Sequence, residues 1–277
     1  MRVGSLFSGY GGLDMAVGGD VVWYSEIEPA ACTVLAAHHP GVPNLGDITK
    51  VDWTTVPPVD VITGGYPCQP FSNAGLRKGQ DDDRHLWPYV RDAISHLRPR
   101  YAVLENVQGH LSMGLADVVA DLADLGYSAR WGLVRASDAG APHGRARVFI
   151  VAYPSSQGLQ GPDTAPRTNP GWQTPTGRPA ESDHVPSGTW GPYADAITRW
   201  ESVLGRLAPS PVVHEDDRDR LSPVFIEWMM GLPEGHVTGL GLSPAQQIKM
   251  LGNGVGPQQA ALALDLLIPT RRRELDE

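Results

Sequence analysis

The sequence predicts an α/β fold, with strand–helix units arranged around a parallel sheet. Three observations lead there. Residues 1–153 alternate short apolar runs with amphipathic segments. Hydrophobic residues make up 41% of the 277 against 19% charged, enough apolar material for a sizeable core. Glycine (32) and proline (25) together make about a fifth of the chain, which favours many turns and few long helices.

In chain order, strands are expected over 2–7, 21–25, 59–64, 102–105, 129–134 and 148–153, where the apolar runs are short and bounded by turn residues. Helices are expected between them over 12–17, 29–38, 86–97 and 113–125. Pro29 suits a helix start, because its missing N–H would find no partner there anyway. From Pro154 to Pro192 the pattern stops: 8 prolines and 6 glycines fall in 39 residues without a period of 2 or 3.6. That stretch is expected to be a long functional surface loop, with Trp172, Trp190, Tyr193 and Trp200 in or beside it. A short helix is expected over 193–207, then the acidic run Glu215–Asp219. Helical periodicity returns over 243–268, broken at Gly252-Asn253-Gly254, and no internal repeat is found.

Charge and cysteine content narrow the classes. With 22 Lys+Arg against 31 Asp+Glu the net charge is −9, which speaks against coating nucleic acid electrostatically and leaves room for a local basic groove. Cys32 and Cys68 are the only cysteines, too few for a disulfide scaffold or a four-cysteine zinc site, and no metal is expected. The opening MRVGSLFSGYGGLD lacks the apolar run of a signal peptide, and no apolar stretch approaches the roughly 18 residues of a membrane span. A soluble protein in a reducing cytoplasm, with no membrane partner, is expected.

Three loops at one sheet edge describe a nucleotide site. Phe7-Ser8-Gly9-Tyr10-Gly11-Gly12-Leu13 follows the first strand and opens a helix, so backbone N–H groups can face a ligand. Alone this is weak, since such turns also serve packing. The second strand ends in Ser25-Glu26-Ile27-Glu28, which places a carboxylate where a ribose diol needs an acceptor, and Gly46-Asp47-Ile48 brings another acid. Together they fit an adenosine-containing cofactor without saying which, and an NAD enzyme stays open at this point.

The sharpest segment is Gly64-Gly65-Tyr66-Pro67-Cys68-Gln69-Pro70-Phe71-Ser72. Prolines on both sides of Cys68 rule out a helix and stiffen a loop that presents one thiol at the carboxyl edge of the sheet. Cys32, in the helical run AACTVLAAH, reads instead as an inert packed residue. A reactive thiolate needs an electropositive setting, which Arg84, Arg145 and Arg147 are candidates to supply. Glu105, at the end of LEN, is a candidate proton donor beside that nucleophile, though a lone strand-end acid more often caps the next segment. Arg145 and Arg147, two apart in an extended segment, face one side, and the bland alternative pairs them with Asp138 or Glu105.

The ordered set resembles the DNA cytosine-5 methyltransferases of bacteria and phages. It comprises FSGYGGLD, Glu26, GDI, GGYPCQPFS, Arg84 with Leu86, LENV, the arginine pair, RLSPVFIEWMMGLPE and LGNGV, and it leaves out about 154–219. The resemblance implies a Rossmann-like S-adenosylmethionine-dependent methyltransferase fold with a small irregular target-recognition lobe. The divisions would be a catalytic domain 1–153, the lobe 154–249 and a segment 250–277 returning to the catalytic domain, so that LGNGV lies near FSGYGG.

The same resemblance implies roles for residues. Phe7, Gly9, Gly11, Gly12, Leu13, Ile27, Ile48 and Pro67 would line the S-adenosylmethionine pocket, with Glu26 on the ribose and Asp47 on the adenine amino group. Leu86, Asn253 and Val255 would close it. Cys68 would be the nucleophile toward carbon 6 of a flipped-out cytosine and Glu105 the donor to ring nitrogen 3, while Arg145 and Arg147 would hold the base and thiolate region. The implied partner is double-stranded DNA, the setting a restriction–modification system or a phage, and the working state a monomer. The target sequence and a companion restriction endonuclease stay open.

Two features depart from the family pattern. His143 stands where glutamine is usual, and the recognition region carries five arginines (Arg167, Arg178, Arg199, Arg206, Arg218) against nine acids. Contacts from Gln157, Gln160, Asn169 and Gln173 would have to supplement them. Among rivals, an RNA cytosine-5 methyltransferase shares the PCQ and ENV motifs, but the Cys-Phe-Thr element of its transfer-RNA members has no counterpart in the cysteine-free 154–219. A catalytically inactive DNA-binding relative has no need of Cys68. A thiol hydrolase using His85 or His143 leaves the glycine turn, Glu26 and Asp47 unexplained, and an NAD oxidoreductase leaves Pro67-Cys68-Gln69 unexplained.

Overall fold

The run Val148–Ala152 contains no polar residue because both faces of its strand are covered. The computed structural model describes residues 1–67, 86–156, 187–215 and 218–268. Its sheet comprises β1 (Arg2–Leu6), β2 (Asp20–Ser25), β3 (Val61–Gly64), β4 (Tyr101–Val107), β5 (Tyr127–Arg135) and β6 (Ala146–Pro154), in the order β2-β1-β3-β4-β6-β5. Alternate side chains go to opposite layers. Leu104, Val148 and Ile150 meet α3 (Trp87–Leu97) and α4 (Leu115–Asp124) on one face. Val103, Phe149 and Val151 meet α1 (Gly12–Val17) and α8 (Pro257–Leu267) on the other.

The α/β class and all six expected strands are present, and the sheet direction needs one correction. The first four strands are parallel, but β6 runs antiparallel to both β4 and β5. Only residues 136–145 join β5 to β6. A parallel crossover needs about a dozen residues or more, so so short a link turns the chain back on itself.

α2 (Pro29–His38) begins at Pro29 as expected. The second half of the chain adds α5 (Ala194–Leu204), a hairpin of β7 (Val212–Glu215) and β8 (Arg218–Leu221), α6 (Pro223–Met229) and α7 (Pro244–Asn253). Chain direction breaks between α7 and α8, at Gly254. Ala260, Ala263 and Leu264 then bury against Val3, Ala16 and Val17, so α8 closes onto the first strand–helix unit. Ahead of it, Met230, Leu232, Val237 and Leu251 pack on Tyr10, Ala30 and Val34. His236 links this layer to the glycine turn, its Nε2 lying 2.8 Å from the Tyr10 carbonyl oxygen and its ring stacked 3.9 Å from that of His38.

Candidate active site and cofactor cleft

The chain leaves β1 into the glycine turn with Phe7 at φ 52, a left-handed value that costs an aromatic residue strain and turns the backbone toward the sheet edge. The Glu26 carboxylate braces this turn from the end of β2. Its Oε2 accepts the Gly9 N–H at 2.9 Å, and its Oε1 accepts those of Ile27 and Glu28 at 2.8 and 2.9 Å. The far wall is the turn between α7 and α8. The Tyr10 hydroxyl donates to the Val255 carbonyl at 2.8 Å. A Cβ on Gly12 would collide with that same carbonyl, and one on Gly254 with the Tyr10 ring, so both glycines are required by the close approach of the two turns.

Between the turns lies an open cleft of about 230 Å³. Of the expected cofactor residues, Phe7, Gly9, Gly12, Leu13, Glu26, Asn253 and Val255 line it. The other six stand off its wall. Gly11 caps α1, Ile27 is exposed and Ile48 is buried in the core. Pro67 and Leu86 flank the segment 68–85. Asp47 accepts the Thr49 N–H and hydroxyl at 3.0 and 2.8 Å and meets Lys50 at 3.1 Å, and these bonds hold its carboxyl below the ordinary aspartate value.

Sequence reasoning passed over several lining residues. Asp14 sits under the glycine turn and accepts hydroxyl hydrogen bonds from Ser5 at 2.7 Å and from Thr63. Burial pushes its carboxyl up to about 6 against those bonds. The signal was in FSGYGGLD, where an acid follows the glycines into the helix. Lys249 and Gln246 join the wall from α7, and Lys249 pairs with Glu28 at 3.1 Å. Nothing local in the sequence links them to the cleft.

At the other end of the cleft, Glu105 Oε1 lies 2.8 Å from Arg147 Nε. The pair spans β4 and β6, where Val107 is the register partner of Arg147. Glu105 is 7% exposed, and burial pushes its carboxyl up to about 7 although Arg147 and Arg145 pull it down. Arg145 turns elsewhere: its guanidinium donates to the carbonyls of Gly252 and Gly254, the latter at 2.7 Å, and so brackets Asn253. His143 Nε2 lies 3.1 Å from the Met229 carbonyl, and burial holds its ring below the ordinary histidine value. Cys68 and Arg84 lie outside the described residues, as do His85, Arg167, Arg178, Gln157, Gln160, Asn169 and Gln173. Arg206 points inward, onto the Leu232 carbonyl. Among the described residues no group of histidine, cysteine and acid side chains forms a metal site.

Known proteins similar to this chain are methyltransferases. The chain is 32% identical over 186 residues to the type II methyltransferase M.NlaIV of Neisseria lactamica, a match covering 60% of this chain and 43% of that one. It is 38% identical over 167 residues to M.HgiBI of Herpetosiphon aurantiacus (56% and 38%). With the orphan methyltransferase M.Rho11sI of Bacillus phage rho11s the identity is 34% over 164 residues (54% and 32%). The match thus spans less than half the length of each of these relatives. Among solved structures, the Dnmt2 methyltransferase of S. pombe superposes with a TM-score of 0.66 at 18% identity, covering 96% of this chain and 98% of that one. A DNA modification methyltransferase encoded in an E. coli prophage gives 0.64 at 21% identity (95% and 97%). These two establish the fold. The family model for C-5 cytosine-specific DNA methylases matches residues 1–189, a stretch that includes the glycine turn, Glu26, Glu105 and both arginines, and the chain belongs to that family.

Proposed function

We propose that this chain is a DNA cytosine-5 methyltransferase that moves a methyl group from S-adenosylmethionine to carbon 5 of a flipped-out cytosine in a short duplex sequence, through a covalent Cys68 adduct. The observation that carries the reading is the buried Glu105, an acid poised near neutral pH beside Arg147 in the cleft. Family membership supports the substrate class.

The cleft suits the cofactor. Asp14, Glu26 and Glu28 line it beside the protonated Glu105, and its one lining lysine is already paired with Glu28, so its wall suits a cationic ligand. Phe7, Gly9, Gly12, Leu13, Asn253 and Val255 would hold it, with Glu26 at the ribose. Gly11, Ile27, Asp47, Ile48, Pro67 and Leu86 are proposed on the family resemblance alone. When bound, S-adenosylmethionine supplies an electrophilic methyl group.

The protein's part is to make carbon 5 nucleophilic. The Cys68 thiolate forms a bond to carbon 6 while Glu105 passes its proton to ring nitrogen 3, which raises electron density at carbon 5. After transfer the carbon 5 proton passes to water, the carbon–sulfur bond breaks to release the Cys68 thiolate, and Glu105 takes its proton back from ring nitrogen 3. Arg147 keeps Glu105 oriented, and Arg145 keeps Asn253 at the cleft wall. These atoms are hidden in a duplex, so the base is extruded, at a cost of about a few kcal/mol.

The same reading takes 1–153 as the catalytic domain, 154–249 as the recognition lobe and 250–277 as the returning segment. It takes double-stranded DNA as partner, a monomer as working state and a cytoplasmic bacterial or phage setting, with a companion endonuclease a matter of genome context. No described helix is long and apolar enough to cross a membrane.

The test is bisulfite sequencing of plasmid DNA from cells expressing the chain, beside Cys68→Ala. Protected cytosines at one short motif, absent in the variant, are expected. Unprotected DNA from cells with the intact chain overturns the reading.

A further inference from the structure

Tyr66 stands two residues before Cys68 and is buried at 4% exposure between two other rings. Its hydroxyl lies 2.8 Å from His110 Nε2, with the rings edge to face at 5.6 Å. On its other side is Trp87, 5.3 Å away. Trp87 opens α3 on the far side of the segment that carries Cys68, so both stems of that segment meet in one aromatic cluster. Each is also fastened to the scaffold. Asn106 Nδ2 donates to the Tyr66 carbonyl at 3.1 Å, and Trp87 Nε1 donates to Asp121 of α4 at 2.6 Å.

Packing alone would be served by apolar side chains of similar volume. A buried hydroxyl facing a buried imidazole adds direction that apolar packing lacks. His110 is 2% exposed, and burial holds its ring below the ordinary histidine value. It follows β4 in the one-turn helix Gln108–Leu111, and β4 carries Glu105. One element thereby sets the proton donor and the stem of the thiol loop together.

We propose that His110 is a positioning residue for methyl transfer: by holding the Tyr66 hydroxyl it fixes the stem from which Pro67 and Cys68 continue. The inference rests on the reading of Cys68 as nucleophile. A thiol that must approach carbon 6 to bonding distance is sensitive to its stem, since a displacement of about 1 Å costs on the order of 100-fold in rate.

The test uses the full chain, tritiated S-adenosylmethionine and unmethylated plasmid DNA. Wild type and Cys68→Ala are run first. No transfer by the former, or retained transfer by the latter, removes the underlying reading and this inference with it. Given a Cys68-dependent reaction, Tyr66→Phe and His110→Leu are each expected to lower kcat about tenfold or more, with the cofactor KM within about twofold. The double variant is expected to be no slower than the slower single, and His110→Gln, which keeps a polar partner for Tyr66, to recover part of the rate. A Tyr66→Phe rate within about twofold of wild type, losses that multiply in the double variant, or a His110→Gln rate no better than His110→Leu overturns the inference. Tyr66→Phe removes one hydroxyl and carries the test even where His110→Leu fails to fold.

Discussion

The Tyr10 hydroxyl donates to the Val255 carbonyl oxygen over 2.8 Å, joining two turns 245 residues apart in the chain. Tyr10 is buried, and burial holds its phenol protonated well above the ordinary tyrosine range. The bond is therefore a donor contact through the neutral range, and it ties the glycine turn to the turn that follows Asn253.

Tyr10→Phe keeps the ring against Gly254 and deletes only this bond, leaving the Val255 carbonyl without its donor. A stability loss of about 1 kcal/mol is expected in urea titration. Weaker S-adenosylmethionine binding by calorimetry should accompany it, and unchanged affinity would show that the cleft width is held by packing alone.

Arg145→Lys should weaken cofactor binding about tenfold. A lysine ammonium cannot span two carbonyls as the guanidinium spans those of Gly252 and Gly254. Affinity within twofold of wild type would mean that Asn253 keeps its place without the bracket.

Glu105→Gln removes the proton that the mechanism gives to ring nitrogen 3, and kcat is expected to fall by about 100-fold or more with the cofactor affinity intact. In the wild type, kcat should decline on the alkaline side as Glu105 ionises near its value of about 7. A flat rate from pH 6 to pH 9 at saturating substrate would remove Glu105 as the donor.

Stability should follow the same groups. Folding raises Glu105 from 4.5 to about 7 and Asp14 from 3.8 to about 6. The native state therefore binds more protons than the unfolded one between these values, so each contributes stability that is present below about pH 4 and lost as pH rises through 6 and 7. Glu105→Gln and Asp14→Asn imitate the neutral forms. Relative to wild type, the melting temperature of each should climb between pH 4.5 and pH 8, and a difference that falls over that range would contradict both assignments.

Most elements were legible because their signals are local. The apolar runs and the proline at the head of α2 mark strands and helices within a few residues. The direction of β6 was not, since strand direction is set by the length of the preceding link and not by the strand's own pattern. β7 and β8 escaped for another reason: every described residue of this hairpin is exposed, so no alternation between a buried and a free face is written into it. α6 did carry a start signal, Ser222 followed by Pro223, with the serine hydroxyl accepting the Phe225 N–H. In the site, Phe7, Glu26 and Asn253 were visible as motif residues. Arg145's grip on the Gly252–Gly254 turn was invisible, because it depends on how two distant segments cross.

The closure of α8 onto β1 and α1 sets a timetable for synthesis. A nascent chain can lay down the glycine turn, Glu26 and Glu105 while translation continues, yet it lacks one wall of the cleft until residue 255 has cleared the ribosome. Partial products accordingly carry Glu105 and the glycine turn while the cleft still lacks the side that the α7–α8 turn supplies.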